Sequence, residues 1–189
     1  VGAELNVKRF AKGETIYAAG APASGLLKVC SGAVMLYQML EDGRRQIIEL
    51  VAPGEYLHFE TEGALDHFAE ALTDAELVCF GTEALSADPA LAELALEQMR
   101  ARLQRGRAHV TMLGRKSAAE RLADFLDLAS ERLSSRRGEI NLPMTRQQIA
   151  DYTGLTLETV SRFFSKWARE RRLTRVGSCA YRVEAALAA

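Results

Sequence analysis

Between Thr145 and Arg169 the chain punctuates itself twice in the same way, and few folds accommodate that pattern. Thr145 and Gln148 have the spacing of a capping box, in which a hydroxyl accepts a backbone N–H and the amide reaches back to the cap. A short helix is predicted from there, with Ile149 and Ala150 facing inward. Gly154 supplies a turn, Leu155 an apolar anchor, and Thr156 a second N-cap. The helix that follows places Val160, Phe163, Phe164 and Trp167 on one face and Glu158, Ser161, Arg162, Ser165 and Arg169 on the other. Two short helices joined by a glycine-containing turn make a helix-turn-helix, whose second helix fits the major groove of DNA.

The residue types on the polar face suit that groove. Arg162 can donate two parallel bonds to guanine O6 and N7, Glu158 can accept from the cytosine amino group, and Ser161 is short enough to approach a base edge. Thr145, Arg146 and Thr156 stand at helix starts, where hydroxyls and backbone N–H groups suit phosphate, and Ser165 and Lys166 extend the same phosphate-facing set. The alternative for Glu158 and Arg162 is an i,i+4 surface ion pair. Beyond the helix, Leu173–Val176, a turn at Gly177-Ser178 and Ala180–Val183 read as a hairpin. It is either a wing with Arg175 and Arg182 near phosphates or a strand pair packed under the helices.

Upstream, the hydrophobic period changes. Apolar or small residues recur at Ala92, Leu96, Met99, Leu103, Gly106, Val110 and Leu113, in steps of 4 and 3 that define a heptad seam. Asp88-Pro89 provides the cap and first position of that helix. With Arg100, Arg102, Arg105 and Arg107 flanking it, the seam predicts a partner helix and hence a homodimer; the alternative is packing on its own domain. Ser117 and Glu120 form another capping box, opening a helix with Leu122, Phe125, Leu126, Ala129 and Leu133 on its apolar face and Gly138 after its end. Residues 114–117 read as a hinge.

Residues 1–86 instead show glycine-punctuated alternation: Glu14–Tyr17, Leu26–Cys30, Val34–Met39 and Gln46–Val51, with Asp42-Gly43 as a hairpin turn that needs positive φ. These predict an antiparallel sandwich or barrel-like roll. The expected divisions are 1–87, 88–115 and 116–189. Residues 1–114 carry 10 Lys/Arg against 16 Asp/Glu, and residues 115–189 carry 14 against 9, so the basic part coincides with the helix-turn-helix.

Cys30, Cys79 and Cys179 are scattered and odd in number, which fits a reducing cytoplasm better than a disulfide framework. Cys30 and Cys79 fall in apolar strand patterns and are expected to be buried; Cys179 is either an inert strand residue or a redox-sensitive thiol. No stretch approaches the roughly 18 apolar residues of a membrane span, and the sequence opens on no basic-then-apolar leader, so no membrane association is expected. A cupin-like metal enzyme on the roll would need several convergent histidines; His58, Glu62 and His67 are too few and poorly spaced, and no nucleophile triad or Walker motif is present. Neither a metal nor a catalytic residue is expected, and the chain is not read as an enzyme.

At these residues the chain resembles the CRP/FNR family of bacterial transcription regulators over nearly its whole length. LPMTRQQIADYTGLTLETVSRFF (Leu142–Phe164) is similar to the family's helix-turn-helix, particularly in its FNR and FixK-like branch. KGETIYAAG and SGAVMLYQMLEDGRRQIIELVAPGEYL resemble its cyclic-nucleotide-binding-like sensor domain, and LGRKSAAERLADFL its join to the DNA-binding domain. The resemblance implies an α+β chain: an N-terminal double-stranded β-roll, a long dimerisation helix and a C-terminal winged helix-turn-helix. It also implies that the E-x-x-S-R residues Glu158, Ser161 and Arg162 read a TTGA…TCAA operator, and that the loop Glu41–Arg45 touches RNA polymerase. Relatives that bind cyclic AMP carry an Arg-Ser pair after a Gly-Glu. Here Gly54-Glu55 is followed by Leu65 and Asp66, so cyclic AMP is disfavoured and no cofactor is expected. Some relatives bind haem through histidine, which leaves His58 or His67 as candidate ligands, and a small-molecule- or haem-gated regulator of the same fold as the alternative. The cysteines do not match the family's iron–sulfur cluster.

Overall fold

The computed structural model describes residues 7–81, 87–133 and 139–187. The expected helix stop at Gly138, after Ser134–Arg137, lies outside the described residues. The chain divides into two compact units, Val1–Gly106 and Arg107–Ala189.

In the first unit, alternating apolar residues and tight turns produce seven short strands: β1 (Val7–Phe10), β2 (Thr15–Tyr17), β3 (Leu26–Ser31), β4 (Val34–Met39), β5 (Arg45–Val51), β6 (Phe68–Ala71) and β7 (Ala75–Phe80). They form two antiparallel sheets, ordered β1-β7-β3 and β2-β6-β4-β5. Val29, Ala75 and Leu77 from the first sheet meet Val34, Leu36, Val51, Ala69 and Ala71 from the second in one buried core. The turn at Asp42-Gly43 joins β4 to β5, closed by the Leu40 N–H donating to the Arg44 carbonyl at 2.8 Å, with Gly43 at φ 83°. This is the predicted roll: β2 to β5 fall on the four segments named from the sequence, β7 on the strand pattern around Cys79, and β1 and β6 are added.

One expectation fails here. Cys30 is exposed and Cys79 only half-buried. Side chains alternate along a strand; Val29 takes the inward position at 0 % exposure, so Cys30 points out, and the β3–β7 register shifts between Val29 and Ser31.

Helix α1 (Pro89–Arg115) is capped as expected, the Asp88 carboxylate accepting the Ala90 N–H at 3.0 Å. Its stripe Leu91, Ala95, Gln98, Arg102, Arg105 docks on the roll. Leu91 and Ala95 pack with Leu26, Tyr56, Phe59 and Phe80. Gln98 brackets the neighbouring loop, donating to the Gly54 carbonyl at 2.9 Å and accepting the Tyr56 N–H at 3.1 Å. Arg102 donates to the carbonyls of Leu57 and Tyr56 and its Nε lies 2.6 Å from Glu49; Arg105 reaches Glu49 at 2.7 Å and Glu55 at 3.4 Å. Two of the four arginines read as flanks of a partner seam are thus engaged by the chain's own roll. On the next stripe, Leu96, Met99, Leu103 and Val110 are 47, 45, 56 and 70 % exposed, and Ala92 and Gly106 are exposed too; Leu113 is half-buried.

In the second unit α2 (Ala118–Leu133) starts at its capping box, Ser117 N–H to Glu120 at 2.7 Å, and buries Leu122, Ala123, Phe125, Leu126 and Ala129. There follow β8 (Ile140–Asn141), α3 (Arg146–Thr153), α4 (Leu157–Arg169), β9 (Leu173–Arg175) and β10 (Ala180–Val183). The predicted hairpin β9–β10 gains β8 as a third strand, in the order β8-β10-β9. The end of α1 joins this unit: the His109 ring stacks on Tyr152 at 4.3 Å and its Nε2 donates to the Tyr152 carbonyl at 2.9 Å. No helix among the described residues is long and apolar enough to cross a membrane.

Candidate nucleic-acid interface

The two caps that frame the interface take the form the sequence predicts. Thr145 Oγ1 accepts the Gln148 N–H at 3.1 Å while Gln148 Oε1 accepts the Thr145 N–H at 2.8 Å, starting α3. Gly154 ends α3 in the left-handed conformation (φ 64°, ψ 35°), which costs an L side chain about 1–2 kcal/mol. Thr156 Oγ1 then accepts the Thr159 N–H at 3.2 Å, starting α4. The turn fixes α3 and α4 against each other through buried Ile149, Ala150, Val160, Phe164 and Trp167.

Burial of Val160, Phe164 and Trp167 turns the opposite side of α4 to solvent. Glu158, Arg162, Ser165 and Arg169 are exposed along it, and Ser161 is half-buried between them. Glu158 lies in the first turn, where helical N–H groups favour negative charge. Its carboxyl is held below the ordinary range by its own backbone N–H and then by the Thr156 hydroxyl, with no contribution from Arg162. Glu158 and Arg162 therefore stand one turn apart as separate donor and acceptor groups.

The five residues expected near phosphate are disposed differently from one another. The Thr145 and Thr156 hydroxyls serve their caps and both residues are exposed. Ser165 is exposed, and Lys166 is exposed with its Nζ 3.9 Å from Glu170. Arg146 is half-buried: its guanidinium lies 3.5 Å from the Phe164 ring centroid and Nη2 donates to the Tyr181 hydroxyl at 2.8 Å. The sequence reading missed this stack, because nothing in strand or helix period joins residues so distant in the chain. In the hairpin, Arg175 donates to the Gly177 and Ser178 carbonyls, and Arg182 pairs with Glu139 at 3.2 Å.

A capped helix-turn-helix with a three-stranded wing, in a chain that begins with an antiparallel roll, defines a class of DNA-binding transcription regulator. Comparisons with known proteins agree. Residues 7–87 match the cyclic nucleotide-binding domain and residues 120–188 the Crp-like helix-turn-helix domain. The chain is 41 % identical over 168 residues to the nitrogen fixation regulation protein FixK of Rhizobium meliloti, covering 88 % of this chain and 77 % of the relative. It is 32 % identical to the transcriptional activator protein FnrL of Cereibacter sphaeroides, covering 86 % and 71 %. The solved structure of FixK2 from Bradyrhizobium japonicum superposes with a TM-score of 0.87 at 32 % identity, covering 97 % of this chain and 94 % of that one. The chain belongs to the CRP/FNR family of bacterial transcription regulators, and its likeness is to the FixK type.

Leu65 and Asp66, the positions that the sequence weighs against a cyclic nucleotide, lie on the roll. Leu65 is 3 % exposed and zipped by backbone bonds to Gly20 and Ala21. Asp66 next to it projects a carboxylate that would repel an anion. The candidate haem ligands hydrogen-bond within the roll. His67 Nε2 and Nδ1 lie 2.7 Å from the Tyr17 hydroxyl and the Asp66 carboxylate, and His58 Nδ1 lies 3.1 Å from the Glu60 carbonyl. The Tyr17 ring packs edge-on to both imidazoles. Burial raises the Tyr17 phenol above its usual range and lowers His58 below its own. Among the described residues no group of three or more His, Cys, Asp and Glu is placed to hold a metal ion.

Proposed function

We propose that this chain works as a homodimer that binds TTGA…TCAA operators, with Glu158, Ser161 and Arg162 reading bases. The observation that carries this is the exposed face of α4, where a first-turn carboxylate and a guanidinium one turn later both face solvent beside half-buried Ser161. Arg162 supplies the bidentate contact to guanine, Glu158 accepts from cytosine, and Ser161 fills the space between. Thr145, Thr156, Ser165 and Lys166 approach the phosphates, and Arg146 acts in the same region. Ala92, Leu96, Met99, Leu103, Gly106, Val110 and Leu113 form the seam with a second copy, which sets two half-sites about one DNA turn apart. On this reading residues 1–87, 88–115 and 116–189 are the sensor-like, dimerisation and DNA-binding parts of a cytoplasmic regulator. The β4–β5 turn at Glu41–Arg45 is its surface for RNA polymerase.

Selection of bound duplexes from a random pool, under reducing and oxidising conditions, tests the reading. Enrichment of paired TTGA and TCAA half-sites is expected. Enrichment of unpaired or unrelated sequences would show that the base-reading face is assigned wrongly. Calorimetry with cyclic AMP and titration with haem are expected to give no signal.

A further inference from the structure

We infer that Arg146, Phe164 and Tyr181 form a clasp that sets the stance of the β9–β10 hairpin against the recognition helix α4, so that Arg146 governs DNA binding as a positioning residue. The inference rests on the DNA-binding reading above. It departs from it in giving Arg146 a role that its positive charge alone does not fill.

The clasp gathers one residue from each of three elements. Arg146 is the first residue of α3, Phe164 lies on the inward face of α4, and Tyr181 is in β10. The Arg146 guanidinium lies over the Phe164 ring at 3.5 Å and within 5.3 Å of the Tyr181 ring. The two rings meet edge to face, with centroids 5.7 Å apart at 80°. Arg146 Nη2 donates in addition to Tyr181 Oη at 2.8 Å. Only a planar cation can lie flat on one ring while an in-plane N–H reaches a hydroxyl on another. An ammonium at this position keeps the charge and loses that geometry.

The hairpin is anchored at its base by buried Leu173 and by the Leu142 N–H donating to the Cys179 carbonyl at 2.7 Å, and the clasp is the contact that ties β10 to both α3 and α4. β9 is three residues long, with Leu173 buried and Thr174 and Arg175 exposed, and β8 contributes two residues on the other edge. Arg175 and Arg182 ride on this hairpin. If the clasp holds it, the number of phosphates that the domain neutralises depends on Tyr181, an uncharged residue.

The test uses the full chain and a duplex carrying two TTGA-type half-sites, with affinity measured across a range of potassium chloride concentrations. Each phosphate neutralised contributes close to 0.9 to the slope of log K against log salt. Tyr181→Leu is expected to bind about tenfold more weakly, with a slope flatter by about 1 per half-site although no charge is removed. Arg146→Lys is expected to behave the same way although its charge is kept, and Tyr181→Phe to fall between Tyr181→Leu and the wild type. Hydrogen exchange should quicken at Leu173–Arg175 and Ala180–Val183 and stay unchanged in α3 and α4. A domain that is merely destabilised loses active fraction and exchanges faster throughout, without a change of slope; if Tyr181→Leu does so, Tyr181→Phe is decisive. Wild-type slope in a Tyr181→Leu chain that exchanges normally outside the hairpin, wild-type slope and affinity in Tyr181→Phe where Tyr181→Leu is destabilised throughout, or wild-type affinity in Arg146→Lys, overturns the clasp. Failure of the wild-type chain to bind any duplex instead overturns the DNA-binding reading itself.

Discussion

Glu158 and Arg162 have opposite charges at the i,i+4 spacing where helix surfaces commonly join them, a contact worth about 0.3–0.5 kcal/mol. The Glu158 carboxyl is held instead by its own N–H and Thr156, which leaves the Arg162 fork free of that partner. Arg162→Ala is therefore expected to remove about 1–3 kcal/mol per contacted base pair and to relax specificity there. Competition binding with single-base operator variants measures it, and unchanged discrimination would disprove the role. His58 carries a second residue-scale expectation. Burial pulls its pKa below the ordinary 6.5, His67 and Arg102 push the same way, and Glu60 opposes them; Tyr17 stands edge-on to it, with Asp66 behind His67. An unfolded chain then takes up the proton first as pH falls. The stability that neutral His58 contributes is present above about pH 6.5 and is lost below it, down through the folded value. Thermal midpoints should drop between pH 7 and pH 5 in the wild type, and less steeply in His58→Leu; parallel curves would rule His58 out as the source.

At the scale of elements, Gly154 decides how α3 hands over to α4. An added Cβ would be strained at φ 64° and would sit 3.0 Å from Leu113 Cδ2, the movable end of a side chain. Gly154→Ala is accordingly expected to cost about 1–2 kcal/mol from the backbone, with little added by the contact. Urea unfolding gives the value, and a cost near zero would mean the turn adopts another conformation. The same turn shows why this part of the fold was legible in the sequence. Caps, a left-handed glycine and a heptad seam are written in residues a few positions apart, so Thr145, Gly154, Thr156, Asp88 and Ser117 could be read directly. β1, β6 and β8 are two to four residues long and acquire meaning only from distant partners. Cys30 was misread because an apolar strand pattern does not say which side of a register shift faces the core. Arg102 and Arg105 read as flanks of a seam because spacing reveals a helix face but not the carboxylates of Glu49 and Glu55 that await it. The clasp of Arg146, Phe164 and Tyr181 escaped for the same reason.

For the molecule as a whole, Leu96, Met99 and Leu103 are exposed on the part of α1 that belongs to the first unit and Val110 on the part that belongs to the second, and the seam proposed for a second copy runs through all four. Leu103, 56 % exposed and central in that stripe, is the position at which the pairing is most open to test. Replacing it by glutamate leaves a single chain almost undisturbed, because an exposed site tolerates charge. In a paired seam the same change brings two carboxylates together in an apolar contact, where desolvation and repulsion both oppose association. Leu103→Glu is thus expected to shift sedimentation from dimer to monomer with the circular-dichroism spectrum of the folded chain unchanged, and to remove the concentration dependence of its thermal midpoint. Loss of the dimer has a distinct consequence for DNA. A dimer engages its second half-site as an intramolecular event, so its affinity for the full operator far exceeds that for one half-site. The variant should retain wild-type affinity for an isolated TTGA half-site while losing about a hundredfold or more on the full operator, and raising its concentration should recover part of that loss. A monomeric wild type, or a Leu103→Glu chain that stays dimeric and binds the full operator normally, would place the dimer contact elsewhere on the molecule.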